Sequence, residues 1–264
     1  SLTTHAVYAT GMLGNVLAGI RTIVFVPLFV LYSMFLAAIV VVVGLFDPAA
    51  DIHDRIVNHW ARVFLTIPPV SIRVEGVENI DPSRRYVVAS NHLSQFDIPL
   101  LFHVLPLHGR FLSKKEVFRI PVVGRAMSTI GIIEIDREAG GGSSRRAITA
   151  GVKVAAERGY SLLVFPEGTR SRDGNLLPFK KGAARIAIDT QLPLLPVILE
   201  GSDRIMRADS KWIHPGHVHV RVLEPIETEG LTNKNDLNRV MDQLEQSITD
   251  NYTEMRDAAL SGGK

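Results

Sequence analysis

Residues 161–199 contain the stretch that decides the fold class. They begin with the apolar run Ser161-Leu162-Leu163-Val164-Phe165 and end with Leu194-Leu195-Pro196-Val197-Ile198-Leu199. Short apolar runs of this kind, bounded by turn residues, predict buried strands. The segment between them, at 180–190, is predicted to be helical. A strand, a helix and a second strand in succession are typical of an α/β sheet.

The same alternation continues on both sides of this unit. The pattern predicts further strands near 71–75, 85–90, 109–113, 130–136 and 217–223. It predicts further helices near 97–106, 120–129, 144–158 and 234–258. We therefore expect an α/β fold with a mostly parallel or mixed sheet flanked by helices.

The N-terminal segment differs in composition from the rest of the chain. Residues 1–46 contain one charged side chain, Arg21. The uncharged stretch Thr22–Phe46 would form a helix of roughly 37 Å, longer than the roughly 30 Å hydrocarbon core of a bilayer. This predicts an N-terminal membrane-embedded helical segment. A tilted transmembrane helix fits the pattern, and so does a hairpin within one leaflet that bends near Pro27 or Gly44.

These patterns divide the chain into three predicted parts. Residues 1–50 are expected to form the membrane helix or helical hairpin, and residues 51–230 the α/β domain. Residues 231–264 are expected to form a C-terminal helix packed on that domain, followed by a tail. The helix has an apolar stripe whose spacing predicts packing against the domain. The stripe consists of Leu237, Val240, Met241, Leu244, Ile248, Tyr252 and Met255.

Composition narrows the possible chemistry. The chain has no cysteine, which excludes disulfides, thiolate metal sites and a cysteine nucleophile. The formal net charge is only +2, but residues 110–185 contain 15 Lys and Arg against 7 Asp and Glu. This basic centre favours an anionic partner, such as a phosphorylated small molecule or an anionic lipid. Its basic residues are not interleaved with aromatic ones, so we expect no nucleic-acid partner.

The first candidate catalytic motif follows the strand at 85–90. Its sequence is Asn91-His92-Leu93-Ser94-Gln95-Phe96-Asp97. A histidine with a carboxylate partner is the minimum for general-base catalysis, because the carboxylate orients the imidazole and stabilises its protonated form. The two side chains meet if His92 lies in the turn and Asp97 begins the next helix, which Pro99 in the first turn supports. In the alternative, Asp97 or Ser94 only caps the helix and His92 is a buried, hydrogen-bonded structural residue.

The second candidate motif, Phe165-Pro166-Glu167-Gly168-Thr169-Arg170-Ser171, follows the strand at 161–165. It contains a carboxylate, a glycine that lets backbone come close, a hydroxyl and a guanidinium suited to bidentate phosphate capture. A third segment, Gly131-Ile132-Ile133-Glu134-Ile135-Asp136-Arg137, ends its strand with another arginine. The structural alternatives are a plain turn for the second motif and a surface salt bridge for Arg137.

Together, Asn91–Asp97 and Phe165–Ser171 resemble the motifs of the membrane glycerolipid acyltransferases of the 1-acyl-sn-glycerol-3-phosphate acyltransferase family. The resemblance covers roughly residues 55–225. Other segments that resemble this family are Gly131–Arg137, Leu195–Ile198, Phe179–Gly182 and Phe111–Gly124, which contains Lys114. The sequence departs from the family pattern at Glu134, where an apolar or aromatic residue is more usual.

The resemblance implies an enzyme that moves a fatty acyl group from acyl-CoA or acyl carrier protein to the free hydroxyl of lysophosphatidic acid. The product would be phosphatidic acid, in phospholipid biosynthesis. It implies that His92 is the general base and Asp97 its orienting partner. Transfer would be direct, with no acyl-enzyme, in agreement with the absence of a G-x-S-x-G sequence and of cysteine. No cofactor or metal is expected, because the thioester is a co-substrate.

The resemblance also implies where substrates and membrane meet the protein. The implied substrate-binding residues are Arg137, Glu167, Gly168, Thr169, Arg170 and Lys114. The two arginines and the lysine would hold the acceptor phosphate, and Glu167 would hold an acceptor hydroxyl or brace the basic cluster. The expected partners are the lipid bilayer, a lysophospholipid acceptor and the thioester donor. We expect location at the inner or cytoplasmic membrane with the catalytic domain facing the cytosol, because the donor comes from the cytosol.

Three alternative functions stay open at this level. The same chemistry could serve another acceptor, such as glycerol-3-phosphate, another lysophospholipid or an amino-lipid. The basic centre and the two motif arginines favour lysophosphatidic acid among these. The chain could also be a catalytically dead, membrane-anchored lipid-binding protein, which the joint presence of His92, Asp97, Glu167 and Arg170 argues against. A metal-dependent phosphatase is disfavoured because no second carboxylate pair occurs at ligand spacing.

Overall fold

Seven strands form one mixed sheet in the part of the chain that the structure describes. The computed structural model describes residues 2–47, 51–136, 149, 151–155, 157–210 and 212–261. The strands are β1 (Val70–Glu75), β2 (Val87–Ser90), β3 (Gly109–Lys114), β4 (Ile133–Ile135), β5 (Ser161–Val164), β6 (Leu194–Glu200) and β7 (Gly216–Val222). Their order is β1-β7-β6-β2-β5-β3-β4, in which the β6–β7 pair is antiparallel and the others are parallel. All seven predicted strands are present, and the expected mostly parallel or mixed sheet is confirmed.

Helices cover both faces of this sheet. They are α1 (Leu2–Phe46), α2 (Ile52–Thr66), α3 (Asp97–Val104), α4 (Lys115–Phe118), α5 (Val123–Thr129), α6 (Gly182–Thr190), α7 (Ser202–Ile205) and α8 (Leu237–Ser261). Residues 151–155 are also helical and lie within the helix predicted at 144–158. The remainder of that prediction falls largely outside the described residues.

The sheet separates two apolar layers because consecutive side chains of a strand point to opposite faces. Val87 and Ala89 of β2 contact the layer formed with α6 and α8, whereas Val88 contacts the layer formed with α2 and α3. Every residue of the apolar stripe predicted on the C-terminal helix is buried in the first layer. β2 is therefore buried on both faces, in the centre of the strand order, and the first candidate motif follows its end.

α1 is a single helix that continues through Pro27 and Gly44. The hairpin bend that the sequence allowed at these residues is therefore wrong. A single proline removes one backbone hydrogen bond, which the rest of a long helix tolerates. Gly44 serves close packing instead, because a side chain there would collide with Thr129 of α5.

The chain reverses between α1 and α2, so that the two helices pack antiparallel. The Phe29 ring of α1 lies 5.0 Å from the Phe64 ring and 5.7 Å from the Trp60 ring of α2. The Trp60 Nε1–H donates a hydrogen bond of 2.9 Å to Ser33 Oγ. Thr22–Phe46 is long and apolar enough to cross a membrane by length and composition, and little of it is buried.

Candidate functional site

The candidate motifs meet at one edge of the sheet. β2, β5, β3 and β4 are parallel neighbours, and β6 is parallel to β2 on its other side. The carboxyl ends of parallel strands share an edge, where α/β proteins commonly bind ligands. The loop after β2, here called the β2 turn (residues 91–97), therefore lies beside the loop after β5, called the β5 turn (residues 165–171).

Asn91 attaches the β2 turn to the neighbouring strand β6. Its side-chain amide donates to Leu199 O and its side-chain oxygen accepts from Leu199 N, each at 2.8 Å. Asn91 is fully buried, so these two bonds satisfy both ends of its amide within the protein. They hold the backbone of the next residue, His92, in place at the end of the strand.

The structure brings His92 and Asp97 together. The distance between His92 Nδ1 and Asp97 Oδ2 is 2.8 Å. Asp97 is the first residue of α3 and fully buried, while the His92 side chain is 14% exposed. Nε2 of His92 has no hydrogen-bond partner among the described residues, so this atom is available to a substrate. The alternative that Asp97 only caps the helix is wrong, because its Oδ2 accepts from Leu93 N and Ser94 N at 2.7 and 2.8 Å, two amides of the turn that precedes α3.

Ser202 is a member of this cluster that the sequence did not predict. Its hydroxyl is buried and donates to Asp97 Oδ1 at 2.5 Å. Ser202 begins α7 directly after β6 and Gly201, at the same edge of the sheet. The only sequence signal for it is a hydroxyl immediately after a predicted strand end. Its contact with Asp97 depends on β6 lying next to β2, which the chain order does not show.

The β5 turn covers the other side of His92. The Phe165 ring stacks on the imidazole, with 3.9 Å between ring centroids and an interplanar angle of 15°. The backbone carbonyl of His92 accepts a hydrogen bond of 2.8 Å from Ser171 N. The backbone N–H of His92 donates to Glu167 Oε1 at 2.6 Å. The second motif thus contacts His92 at three places: the imidazole ring, the backbone carbonyl and the backbone N–H.

Glu167 is buried and joins two backbone segments. Its Oε1 accepts from His92 N, and its Oε2 accepts from Leu177 N at 2.8 Å. Burial raises the pKa of Glu167 to about 7, against the two amide hydrogen bonds, which lower it. The nearby Asp97 charge raises it further. Because both oxygens are occupied by amides, the contacts favour the bracing role over the holding of an acceptor hydroxyl.

The remaining residues of the second motif line the open side of the turn. Gly168 has φ = +73°, a conformation that favours glycine, and a side chain there would approach Lys180 Nζ to 2.8 Å. Thr169 is exposed. Arg170 is half-buried, and its Nη1 is buried without a hydrogen-bond partner among the described residues. Lys180, a nearby cation, was not predicted as a site residue.

Of the other two predicted phosphate-binding residues, the structure describes Lys114, which lies farther along the same edge. Lys114 is the exposed last residue of β3, the strand next to β5. Its side chain has no hydrogen bond or ion pair with the His92–Asp97 pair. Arg137 lies outside the described residues. No group of three or more His, Asp or Glu side chains is placed to hold a metal ion in the part of the chain that the structure describes.

Comparison with known proteins identifies the family. A family model described as "Acyltransferase" matches residues 71–200. The chain is 33% identical over 202 residues to 1-acyl-sn-glycerol-3-phosphate acyltransferase alpha of Mus musculus, covering 74% of this chain and 68% of that protein. It is 37% identical over 188 residues to a chloroplastic 1-acyl-sn-glycerol-3-phosphate acyltransferase of Arabidopsis thaliana, covering 69% and 51% of the two chains.

Comparison of the fold with solved structures identifies the same family. The crystal structure of the 1-acyl-sn-glycerophosphate acyltransferase PlsC from Thermotoga maritima matches with a TM-score of 0.74 and 25% sequence identity. The match covers 92% of this chain and 97% of that one. Similarity of sequence, of motif order and of fold agree, and the chain belongs to the 1-acyl-sn-glycerol-3-phosphate acyltransferase family.

Proposed function

We propose that this enzyme transfers a fatty acyl group from a thioester donor, acyl-CoA or acyl carrier protein, to the free hydroxyl of lysophosphatidic acid. The product is phosphatidic acid, an intermediate of phospholipid synthesis. The observation that carries this proposal is the 2.8 Å contact between His92 Nδ1 and Asp97 Oδ2 at the ligand-binding edge of the sheet. It leaves Nε2 of a partly exposed imidazole to act on a substrate.

In the proposed reaction, Nε2 of His92 removes the proton of the acceptor hydroxyl as its oxygen attacks the thioester carbonyl carbon. The resulting tetrahedral intermediate expels the thiolate, which takes that proton from the imidazolium. Asp97 holds the imidazole and stabilises its positive charge during the step. The neighbouring serine hydroxyls are already engaged, because Ser202 donates to Asp97 and Ser94 donates to Met206 O. These contacts support direct transfer without an acyl-enzyme.

The β5 turn is proposed to bind the acceptor. Arg170 has a buried nitrogen that lacks a hydrogen-bond acceptor among the described residues, and a phosphate oxygen would supply one. Lys114 is the last residue of β3, and Arg137 follows β4 in the sequence; we propose that the two complete a cationic rim. Gly168 and Thr169 would lie against the acceptor, and Glu167 would brace the turn. We propose no metal or organic cofactor.

α1 is proposed to hold this site at the membrane. Its exposed apolar side chains include Ile23, Leu31 and Phe35, which are 63–67% exposed. Apolar residues on the outer side of a helix are stable when they face lipid. Both substrates and the product carry long acyl chains, so residues 1–50 would place the α/β domain where these lipids enter. A donor made in the cytosol requires that domain on the cytosolic side.

Two measurements on the purified, membrane-reconstituted protein test this function. The first is a matrix of acceptors, glycerol-3-phosphate and lysophosphatidic acids, against acyl-CoA and acyl carrier protein donors. We expect the highest kcat/KM with lysophosphatidic acid. The second is His92→Ala, which should lower kcat by about 10²–10⁴-fold without loss of fold.

The matched control is His103→Ala, which removes an exposed imidazole from α3. We expect it to retain wild-type activity. A His92→Ala enzyme that kept more than about a tenth of the wild-type rate would exclude the general-base role, since that role is worth at least about 10²-fold.

A further inference from the structure

A cleft of about 430 Å³ lies beside the β5 turn, on the side of β6. Three segments form its walls: the residues after the second motif, the segment from α7 to β7, and α8. Four arginines line it, and we call it the arginine cleft. They are Arg172, Arg204, Arg207 and Arg256. None of them belongs to the motifs that suggested the acceptor site.

Two of the four arginines are held by carboxylates of the protein. Arg204 Nη2 lies 2.7 Å from Glu200 Oε1, and Arg256 Nη1 lies 3.4 Å from Asp203 Oδ2. Such pairs fix the two guanidinium groups but neutralise part of their charge. Asp203, the partner of Arg256, also lines the cleft, so an anionic ligand must rely on the remaining cations.

The other two arginines are available. Arg172 is exposed and forms no ion pair or hydrogen bond among the described residues. Arg207 approaches Asp209 only at 3.6 Å, and its side chain is 64% exposed. The cleft acid next to Arg172, Asp173, is occupied by hydrogen bonds from Ser171 Oγ and from Asn175. Arg172 and the weakly paired Arg207 therefore keep most of their hydrogen-bonding capacity beside a cleft whose two carboxylates already have protein partners, an arrangement suited to phosphate groups.

Trp212 adds an aromatic surface to the same cleft. It is 47% exposed and is the only Phe, Tyr or Trp exposed outside α1 in the described part of the chain. Its ring lies beside Gly19 of α1. An exposed indole next to arginine side chains is the combination that binds nucleotides, because the ring stacks on a base while the guanidinium groups hold phosphates.

The arginine cleft is connected to the catalytic pair on the side opposite to Lys114. Ser171, at its rim, donates its backbone N–H to His92 O at 2.8 Å. Ser202, which precedes the cleft residue Asp203, donates to Asp97. Ser94 Oγ donates at 2.6 Å to the carbonyl of Met206, next to Arg207. A ligand in the cleft thus lies next to the β2 turn and leaves the β3 and β4 side to the acceptor.

We propose that the arginine cleft binds the phosphorylated nucleotide end of an acyl-CoA donor. The base stacks on Trp212, the phosphates bind Arg172 and Arg207, and the thioester end of the arm reaches His92. This inference rests on the proposed function, which requires a thioester donor, and it selects acyl-CoA over acyl carrier protein. A concave cleft of this size with one exposed ring fits a nucleotide, whereas a carrier protein binds through a broad surface of about 800 Å² per partner.

The direct test is calorimetric binding of unacylated CoA to the full-length protein in detergent micelles. The variant is Arg172→Ala/Arg207→Ala, and the matched control is Arg239→Ala, an exposed arginine of α8 whose partner is Asp236. Loss of two charge-assisted contacts should raise the Kd for CoA by about tenfold or more, while the control leaves it unchanged. If the double variant fails to fold, the two single variants provide the same comparison. An unchanged Kd in the variant would overturn the proposal.

Kinetics with a truncated donor locate the contact within the donor. The variant should raise the KM for palmitoyl-CoA and leave the KM for lysophosphatidic acid unchanged. With palmitoyl-N-acetylcysteamine, a thioester without the nucleotide, variant and wild type should be equally active. An equal loss with the truncated donor overturns the proposal. So does weaker binding to phosphatidic acid vesicles with unchanged CoA affinity, which would assign the arginines to a lipid surface.

These experiments distinguish a failure of the proposed CoA site from a failure of the proposed acyl transfer. Arginine-dependent CoA binding by a wild-type protein that acylates no lysophosphatidic acid would support the cleft and contradict the proposed function. A wild-type protein that uses acyl carrier protein as donor but binds no CoA would support the proposed function and contradict the role of the cleft.

Discussion

The β2 turn and the β5 turn lie side by side at one edge of the sheet, but their charged side chains are partnered differently. In the β2 turn, Asp97 accepts hydrogen bonds from His92, from Ser202 and from two backbone amides. In the β5 turn, Arg170 has a buried nitrogen with no acceptor among the described residues. A buried polar group without a partner is costly unless a ligand supplies one. On the proposed function, the reacting half of the site is complete in the free protein and the binding half is completed by substrate.

Glu167 connects the two turns. It belongs to the β5 turn, yet one of its oxygens accepts the backbone N–H of His92. The position of the imidazole therefore depends on a carboxylate from the other motif. This contact joins the two motifs in one structure, and a substitution of Glu167 would remove it.

The largest expected effect is that of Asp97→Asn. The amide has one accepting oxygen and a donor group, so it cannot receive all the hydrogen bonds that reach Asp97. We expect kcat to fall by about 10²–10⁴-fold, because the imidazole loses its orienting acceptor and its charge partner. The measurement is steady-state acylation of lysophosphatidic acid. Groups that act as a unit are not additive, so Asp97→Asn should cost little more in a His92→Ala background. Additive losses would show that the two side chains act separately.

The next effect is on stability, from Glu167→Ala. This change leaves the buried N–H groups of His92 and Leu177 without acceptors, at a cost of about 1–3 kcal/mol for each. Chemical denaturation in detergent micelles measures the free energy of unfolding. Glu134→Ala, which removes an exposed carboxylate from β4, is the control and should change it little. Equal stability of the two variants would mean that Glu167 does not join the turns.

Glu167 also predicts a pH dependence of stability. Burial raises its pKa from 4.5 to about 7 in the folded protein, so the folded state binds this proton more tightly than the unfolded state. The unfolding free energy should therefore fall as the pH rises from about 4.5 to about 7 and should level off above that range. Glu167→Gln cannot titrate, and the difference between wild type and variant isolates this contribution. A difference that is constant across this pH range would contradict the raised pKa.

Arg170→Ala tests the binding half of the site. Loss of a charge-assisted contact should raise the KM for lysophosphatidic acid by about tenfold or more, with a smaller change in kcat. The KM for acyl-CoA should not change. Arg172→Ala, two residues along the chain, should raise the KM for acyl-CoA and leave the KM for lysophosphatidic acid unchanged if the arginine cleft binds the donor. The same pattern in both variants would contradict the assignment of acceptor and donor to different sides of the β5 turn.

Sequence patterns predicted the helices and strands well because each of them is determined by residues that are close together in the sequence. Short apolar runs that alternate with helical segments located all seven strands, and the apolar stripe of the C-terminal helix located the face that is buried on the sheet. The contact between His92 and Asp97 was also predictable, since five residues that turn from a strand into a helix set their separation. Gly44 was misjudged as a possible bend because its role, close approach of Thr129, involves a residue far along the chain.

The contacts that complete the site depend on strand order, which local patterns do not contain. β6 lies next to β2 although β3, β4 and β5 separate them in sequence. Only this neighbourhood brings Leu199 to Asn91 and Ser202 to Asp97. A serine after a glycine at a strand end otherwise predicts an ordinary turn.

Ser202→Ala gives the smallest expected effect and the finest test of the comparison. The β2 turn is complete only if the hydroxyl on Asp97 Oδ1 contributes to the position of the carboxylate. Removal of one hydrogen bond of about 1 kcal/mol should lower kcat several-fold, with the KM of both substrates unchanged. Ser161→Ala is the matched control, because its hydroxyl is equally buried but accepts from Tyr86 N at the opposite edge of the sheet. It should lower stability by a similar amount and leave kcat unchanged. If both variants lowered kcat alike, the loss would come from general destabilisation, and Asp97 would be positioned by the backbone amides and His92 alone.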